Sequence, residues 1–198
     1  MLDLKPQSAF ARLRPIGTGG GVVAAERTGL DIATVMARKG KAVELTAAMK
    51  QNFGLVVTDG PRWISAQGMT VLGIGPGKWL AVREREGNGD FVAQLSKGLE
   101  GLASVVEQSG ALGVLRLSGP MLYPTVEKGV QLDLAARAFP VGRVAVTSIA
   151  HVGITLWKID EAPTIELAVA RSLAGSFLHW LETSAAPHGL EAVSLQSR

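Results

Sequence analysis

Residues 143–159 read RVAVTSIAHVGITLWKI. The run is rich in β-branched residues and reads as β-structure. Read as one regular strand around SIAHVGITLW (148–157), it sets His151 on one face with Ile149, Gly153, Thr155 and Trp157, and Val152, Ile154 and Leu156 on the more apolar face. His151, Thr155 and Trp157 then form an amphipathic set of the kind found where a sheet meets another chain, and Gly153 leaves room for a second backbone. They are the candidate interface residues. The competing reading of His151 is a strand histidine with a local hydrogen bond. Catalysis would require a partner that the chain does not visibly supply.

Outward from this run, ALGVLRLSG (111–119) reads as a strand, PMLYPTVEKGV (120–130) as a short helix or turns limited by Pro124, and APTIELAVA (162–170) as another strand. In RSLAGSFLHWLET (171–183), Leu173, Phe177 and Leu181 follow helical spacing. The same order precedes it. LDIATVMARK (30–39) is a strand, and GKAVELTAAMKQNFG (40–54) is a helix closed by Gly54. RWISAQGMTVLGIGPGKWLAVRE (62–84) is a set of strands with a tight turn at GPGK, and NGDFVAQLSKGLEGLASVVEQ (88–108) is a helix capped by Asn88 or Asp90. GKWLAVRE pairs with GITLWKID, and FVAQLSKGL with SLAGSFLHWL, as parallel pieces of a pattern-level duplication. An α+β fold of duplicated subdomains with mixed or antiparallel sheets is expected, because neither half buries its apolar face alone. The short connections argue against a doubly wound parallel sheet. Residues 1–29 read as a poorly ordered or extended N-terminal arm. Residues 30–184 form the domain, in halves of about 30–109 and 110–184, and 185–198 form a C-terminal tail.

Composition narrows the chemistry. The 198 residues carry a net charge of +3 and no cysteine. Disulfides, iron–sulfur clusters, zinc thiolates and thiol nucleophiles are therefore excluded, which suits a reducing compartment. The basic residues are dispersed, and four Trp, one Tyr and five Phe give few stacking platforms, so no nucleic acid is expected as a partner. No apolar run spans a membrane and MLDLKPQSAF lacks the regions of a secretory leader, so a cytoplasmic protein is expected. The glycines of GTGGG (17–21) lack the flanking strand and helix of a dinucleotide loop. Ser118 and Ser176 lack a histidine–carboxylate set. His151, His179 and His188 have no metal-ligand spacing. Glu84, Glu86 and Asp90, and Asp160 with Glu161, read as solvated loop charges.

VVEQSGALGVLRLSGP (105–120), KGVQLDLAARAFPVGRVAVTSIAHVGITLWKID (128–160) and PTIELAVARSLAGSFLHWL (163–181) together resemble the gamma subunit of heterotetrameric sarcosine oxidase. The resemblance implies a fold like the folate-binding domain of the glycine-cleavage T-protein. It implies alpha, beta and delta subunits as partners, with FAD, FMN, NAD and tetrahydrofolate in the alpha and beta subunits and zinc in delta. The complex of such a family oxidises the N-methyl group of sarcosine to give glycine, with formaldehyde or methylene-tetrahydrofolate and hydrogen peroxide. No catalytic, cofactor or metal residue is carried over to this chain. Where the T-protein has a GYTGE-like turn for folate, this chain has AHVGI (150–154), with Ile154 in place of the carboxylate. The alternative is a folate-dependent aminomethyltransferase-like protein, and the missing carboxylate weighs against it.

Overall fold

The computed structural model describes residues 7–85, 87 and 89–194. Asn88 and Glu86, named above as a helix cap and a loop charge, lie outside the described residues. The elements run β1 (Val22–Arg27), β2 (Leu30–Ala37), α1 (Ala42–Phe53), β3 (Trp63–Ala66), β4 (Met69–Gly75), β5 (Lys78–Glu84), α2 (Phe91–Gly98) and β6 (Ala103–Glu107). They continue with β7 (Leu112–Ser118), α3 (Leu122–Val126), β8 (Val144–Ile149), β9 (Val152–Asp160), β10 (Thr164–Ala170), α4 (Ala174–Ala185) and β11 (Leu190–Ser194).

Two sheets result, ordered β3-β4-β5-β2-β6 and β8-β9-β10-β7-β1-β11. The first is wholly antiparallel, and the second is antiparallel except for β1 with β11. Each sheet buries both faces. Leu45 and Met49 of α1 and Phe91 and Leu95 of α2 pack on Val35, Val71, Trp79 and Ala81 of the first sheet. Leu122 and Val126 of α3 and Phe177 and Leu181 of α4 pack on Leu115, Ile154, Leu156 and Leu167 of the second. Between the sheets lie Ile32, Leu72, Leu80, Val114, Trp157 and Ala168. The molecule is therefore an α+β sandwich of four layers, helix–sheet–sheet–helix, in which strand alternation divides each apolar set between two cores.

The two sheets are one design used twice. β2, α1, β3, β4, β5, α2 and β6 correspond in order to β7, α3, β8, β9, β10, α4 and β11. The sheet orders coincide once β1 is removed from between β7 and β11. This changes the pairing read from sequence. GKWLAVRE is β5, whose counterpart is β10, whereas GITLWKID belongs to β9, the counterpart of β4.

Three other readings change. Val22–Arg27, assigned above to an N-terminal arm, is an inner strand, with Val22 and Ala24 fully buried. Leu190–Ser194, assigned to the tail, is the strand that β1 pairs in parallel. The helix expected over 88–108 stops at Gly98, and Leu99, Leu102 and Val106 leave it. Gly101 at φ +73° turns the chain, and Ala103–Glu107 joins the free edge of β2. Asp90 caps α2 as expected, accepting the Ala93 N–H at 2.9 Å. No helix among the described residues is long and apolar enough to cross a membrane.

Candidate subunit interface

The candidate residues do not form one surface. Ala150 and His151 have φ of +47° and +67°, and both occupy the tight turn between β8 and β9. Positive φ at both central residues is the geometry of a type I′ turn, whose twist matches a two-residue hairpin. His151 is thereby removed from the strand face and exposed at the hairpin tip. Trp157 is 2% exposed and lies between the sheets, so it is core and not offered to a partner. Thr155 keeps the expected face, half-buried, opposite Val146 on β8 and Ala168 on β10.

That inner face runs past the cover of the first sheet. Val146 is 62% exposed, and Ser148 and Gly153 are exposed beside it. Val146 also borders an apolar groove of about 410 Å³, together with Pro61, Ile74 and Pro76. The groove lies where the sheets join. Arg62 pairs with Arg143 as an isolated bridge, through Trp63 N–H to the Gly142 carbonyl at 2.9 Å and Val144 N–H to the Pro61 carbonyl at 2.9 Å. The side chain of Trp63 continues the joint, its Nε1–H donating to the Lys158 carbonyl at 2.9 Å.

The buried charges were not signalled beyond single carboxylates in apolar strands. Glu166 in β10 is held by Arg27 Nη1 at 2.6 Å and Arg116 Nη2 at 2.7 Å, and Arg27 also reaches Glu84 of the other sheet at 3.1 Å. Asp31 meets Arg85 at 2.8 Å and Arg83 at 3.4 Å. Each carboxylate is already engaged by two guanidiniums, so neither group is arranged as a general base. Lys158 is buried and meets Glu161 at 2.9 Å. Burial pulls its pKa down, but the Glu161 hydrogen bond and the neighbouring Tyr123 phenol outweigh this and hold it above the usual lysine value.

Cofactor-like motifs resolve into structure. GTGGG leads into the strand β1, not into a helix, so it cannot present a helix N-terminus to a pyrophosphate. GPGK is the turn between β4 and β5. Among the described residues, no group of three His, Asp or Glu side chains could hold a metal ion. Ile154, at the position of the folate carboxylate in the expected turn, is 4% exposed and packs in the helix-side core of its sheet.

The family model of the sarcosine oxidase gamma subunit matches residues 39–187. The sarcosine oxidase subunit gamma of Arthrobacter sp is 33% identical over 145 residues, 73% of this chain and 70% of that protein. Among solved structures, a chain of the heterotetrameric sarcosine oxidase from Corynebacterium sp. U-96 in complex with pyrrole 2-carboxylate superposes with a TM-score of 0.80 at 22% identity. The match covers 92% of this chain and 96% of that one. The glycine cleavage system aminomethyltransferase T from Bartonella henselae gives a TM-score of 0.62 at 11% identity over 89% of this chain and 48% of that one, a likeness of fold. These matches favour the oxidase-subunit reading over the aminomethyltransferase alternative.

Proposed function

The chain belongs to the sarcosine oxidase gamma subunit family, and from that premise we propose that it is the gamma, structural subunit of a heterotetrameric sarcosine oxidase. Its partners are alpha, beta and delta subunits, which carry FAD, FMN, NAD, tetrahydrofolate and zinc. The assembled enzyme takes the N-methyl group of sarcosine, leaves glycine, and reduces oxygen to hydrogen peroxide in the cytoplasm. The observation that carries this reading is the family match over 149 consecutive positions, 39–187. The local chemistry agrees with it. Glu166 and Asp31 are neutralised by arginines, so they brace the fold and leave proton transfer to other chains.

Co-expression tests the proposal. An affinity tag on this chain is expected to recover the three other subunits in fixed ratio, with sarcosine-dependent peroxide formation in the recovered complex. The chain alone is expected to give no turnover and no heat with a reduced folate. A monodisperse chain that recovers none of the three would refute the reading. Heat on folate addition to the chain alone would restore the transferase alternative.

A further inference from the structure

The corner that joins the sheets carries a row of like charges. Arg62 and Arg143 are bridge partners, and the two hydrogen bonds flanking them mark a non-hydrogen-bonded pair. Such a pair sets both side chains on one face at the closest spacing an antiparallel ladder allows. On the other side of Arg143, the register carried one step from Val144–Trp157 brings it to Lys158, whose N–H donates to the Arg143 carbonyl at 3.4 Å. Three cations thus lie side by side across three strands. Like charges directly opposite one another destabilise a sheet. Within the row Lys158 has Glu161, and among the described residues neither Arg62 nor Arg143 has a carboxylate within ion-pair distance. Arg143 Nε is moreover buried with no hydrogen-bond partner. That atom is enclosed by the chain itself; what the pair offers outward is positive charge without an ionic partner, and a carboxylate meets it with charge-assisted hydrogen bonds.

We propose that the Arg62–Arg143 pair is a docking point for an acidic segment of a partner subunit, which seats a carboxylate between the two guanidiniums. The proposal rests on the reading of this chain as one subunit of a larger complex. Charge complementarity selects the occupant's polar part, since the bridge sets two arginines without ionic partners opposite one another and a guanidinium suits a bidentate carboxylate. The neighbouring groove selects a polypeptide. Pro61, Ile74, Pro76 and the exposed Val146 present an apolar surface on the other side of the same corner. A free anion makes no use of it, whereas a segment with an acidic and an apolar side chain covers both. β8 is also the outer strand of its sheet. Its edge is closed at Val144 by Pro61 and at Ile149 by the bridge to Val130, leaving only the short stretch between them for an extended chain.

The test uses the exposed member of the pair. Arg62→Glu removes a repulsion within the isolated chain, so its melting temperature is expected to hold or rise. Co-expressed with wild-type chain and the three partner subunits, the variant is expected to be outcompeted about tenfold in the purified complex, and Arg62→Gln by less. High salt should narrow the difference. Equal incorporation of Arg62→Glu and wild type would overturn the proposal while leaving the subunit assignment intact. Failure of wild type itself to incorporate would overturn both. Stabilisation of the isolated wild-type chain by acetate or inorganic phosphate, lost in Arg62→Glu with no defect in incorporation, would assign the pair to a free anion and overturn the docking role.

Discussion

Lys158 shows how much a single side chain can depend on one neighbour. Its side chain is 2% exposed while that of Glu161 is 61% exposed, so the pair stands at the rim of the core. The Lys158 hydrogen bond holds the Glu161 carboxyl below the usual glutamate range. A carboxyl with a depressed folded pKa stabilises the fold above its unfolded value and loses that contribution as pH falls through the folded one. Lys158, shifted upward, stabilises below its unfolded value and loses the contribution as pH rises through the folded one. Glu161→Gln is therefore expected to lower the urea midpoint through the neutral range and to converge on wild type in acid. Lys158→Met removes the buried charge itself and is expected to cost less than Glu161→Gln, because no ammonium is left unpaired. Urea titrations across pH compare all three. The hairpin tip offers a second residue-scale test. The equivalent turn in the first half is Gln67–Gly68, at φ +50° and +75°, while the second half places Ala150 and His151 in the same region. A left-handed residue other than glycine or asparagine is strained, so Ala150→Asn with His151→Gly is expected to add about 1 kcal/mol of stability by thermal unfolding. An unchanged midpoint would show that the tip is relaxed as it stands.

At the scale of elements, Gly73 ties β4 to the corner. Its N–H donates to the Arg62 carbonyl at 2.8 Å, and a Cβ there would strike the Gly60 carbonyl. Neither partner is a flexible side chain that could swing aside. Gly73→Ala is expected to cost about 3 kcal/mol, read from chemical denaturation, because overpacking must be relieved by moving backbone. A cost under about 1 kcal/mol would mean the corner yields. Elements held by local signals were legible in the sequence. α1 has its apolar stripe at Leu45 and Met49 and its left-handed cap at Gly54, and the β4–β5 turn has Pro76–Gly77. Those decided by distant partners were not. β6 exists because β2 has an open edge, and nothing in SVVE distinguishes that from another helical turn. β1 lacks period-two contrast because it is an inner strand buried on both faces. The placement of His151 and Trp157 was hidden for a similar reason. The two-residue turn removes His151 from the strand without any Gly or Pro to mark it, and Trp157 read as surface because its face is covered by the distant first sheet.

At the scale of the molecule, the two like sheets meet through a thin apolar layer and one buried ionic cluster. Arg27 of β1 pairs with Glu166 in its own sheet and with Glu84 in the other, and Arg116 completes the charge around Glu166. β1, the strand inserted into the second copy of the design, thus supplies the cation that links both copies. Glu166 is 4% exposed, Arg27 20% and Arg116 35%. Removing the carboxylate would leave two guanidiniums facing each other with little water, whereas the Arg116 end retains some solvent. Glu166→Gln is therefore expected to destabilise by about 2–3 kcal/mol, less than for a wholly enclosed pair. Glu84, 54% exposed, holds only the outer end of the bridge, and Glu84→Gln is expected to cost about 0.5 kcal/mol. The contrast separates two views of the sandwich. If the cluster ties the sheets, Glu166→Gln in the full chain also loosens Trp157, which shares that inter-sheet layer. A larger share of the fluorescence of the four tryptophans then becomes accessible to acrylamide at temperatures where the wild type resists. Equal small costs for both variants, with quenching unchanged, would place the cohesion of the sheets in Leu72, Leu80, Val114 and their apolar neighbours alone.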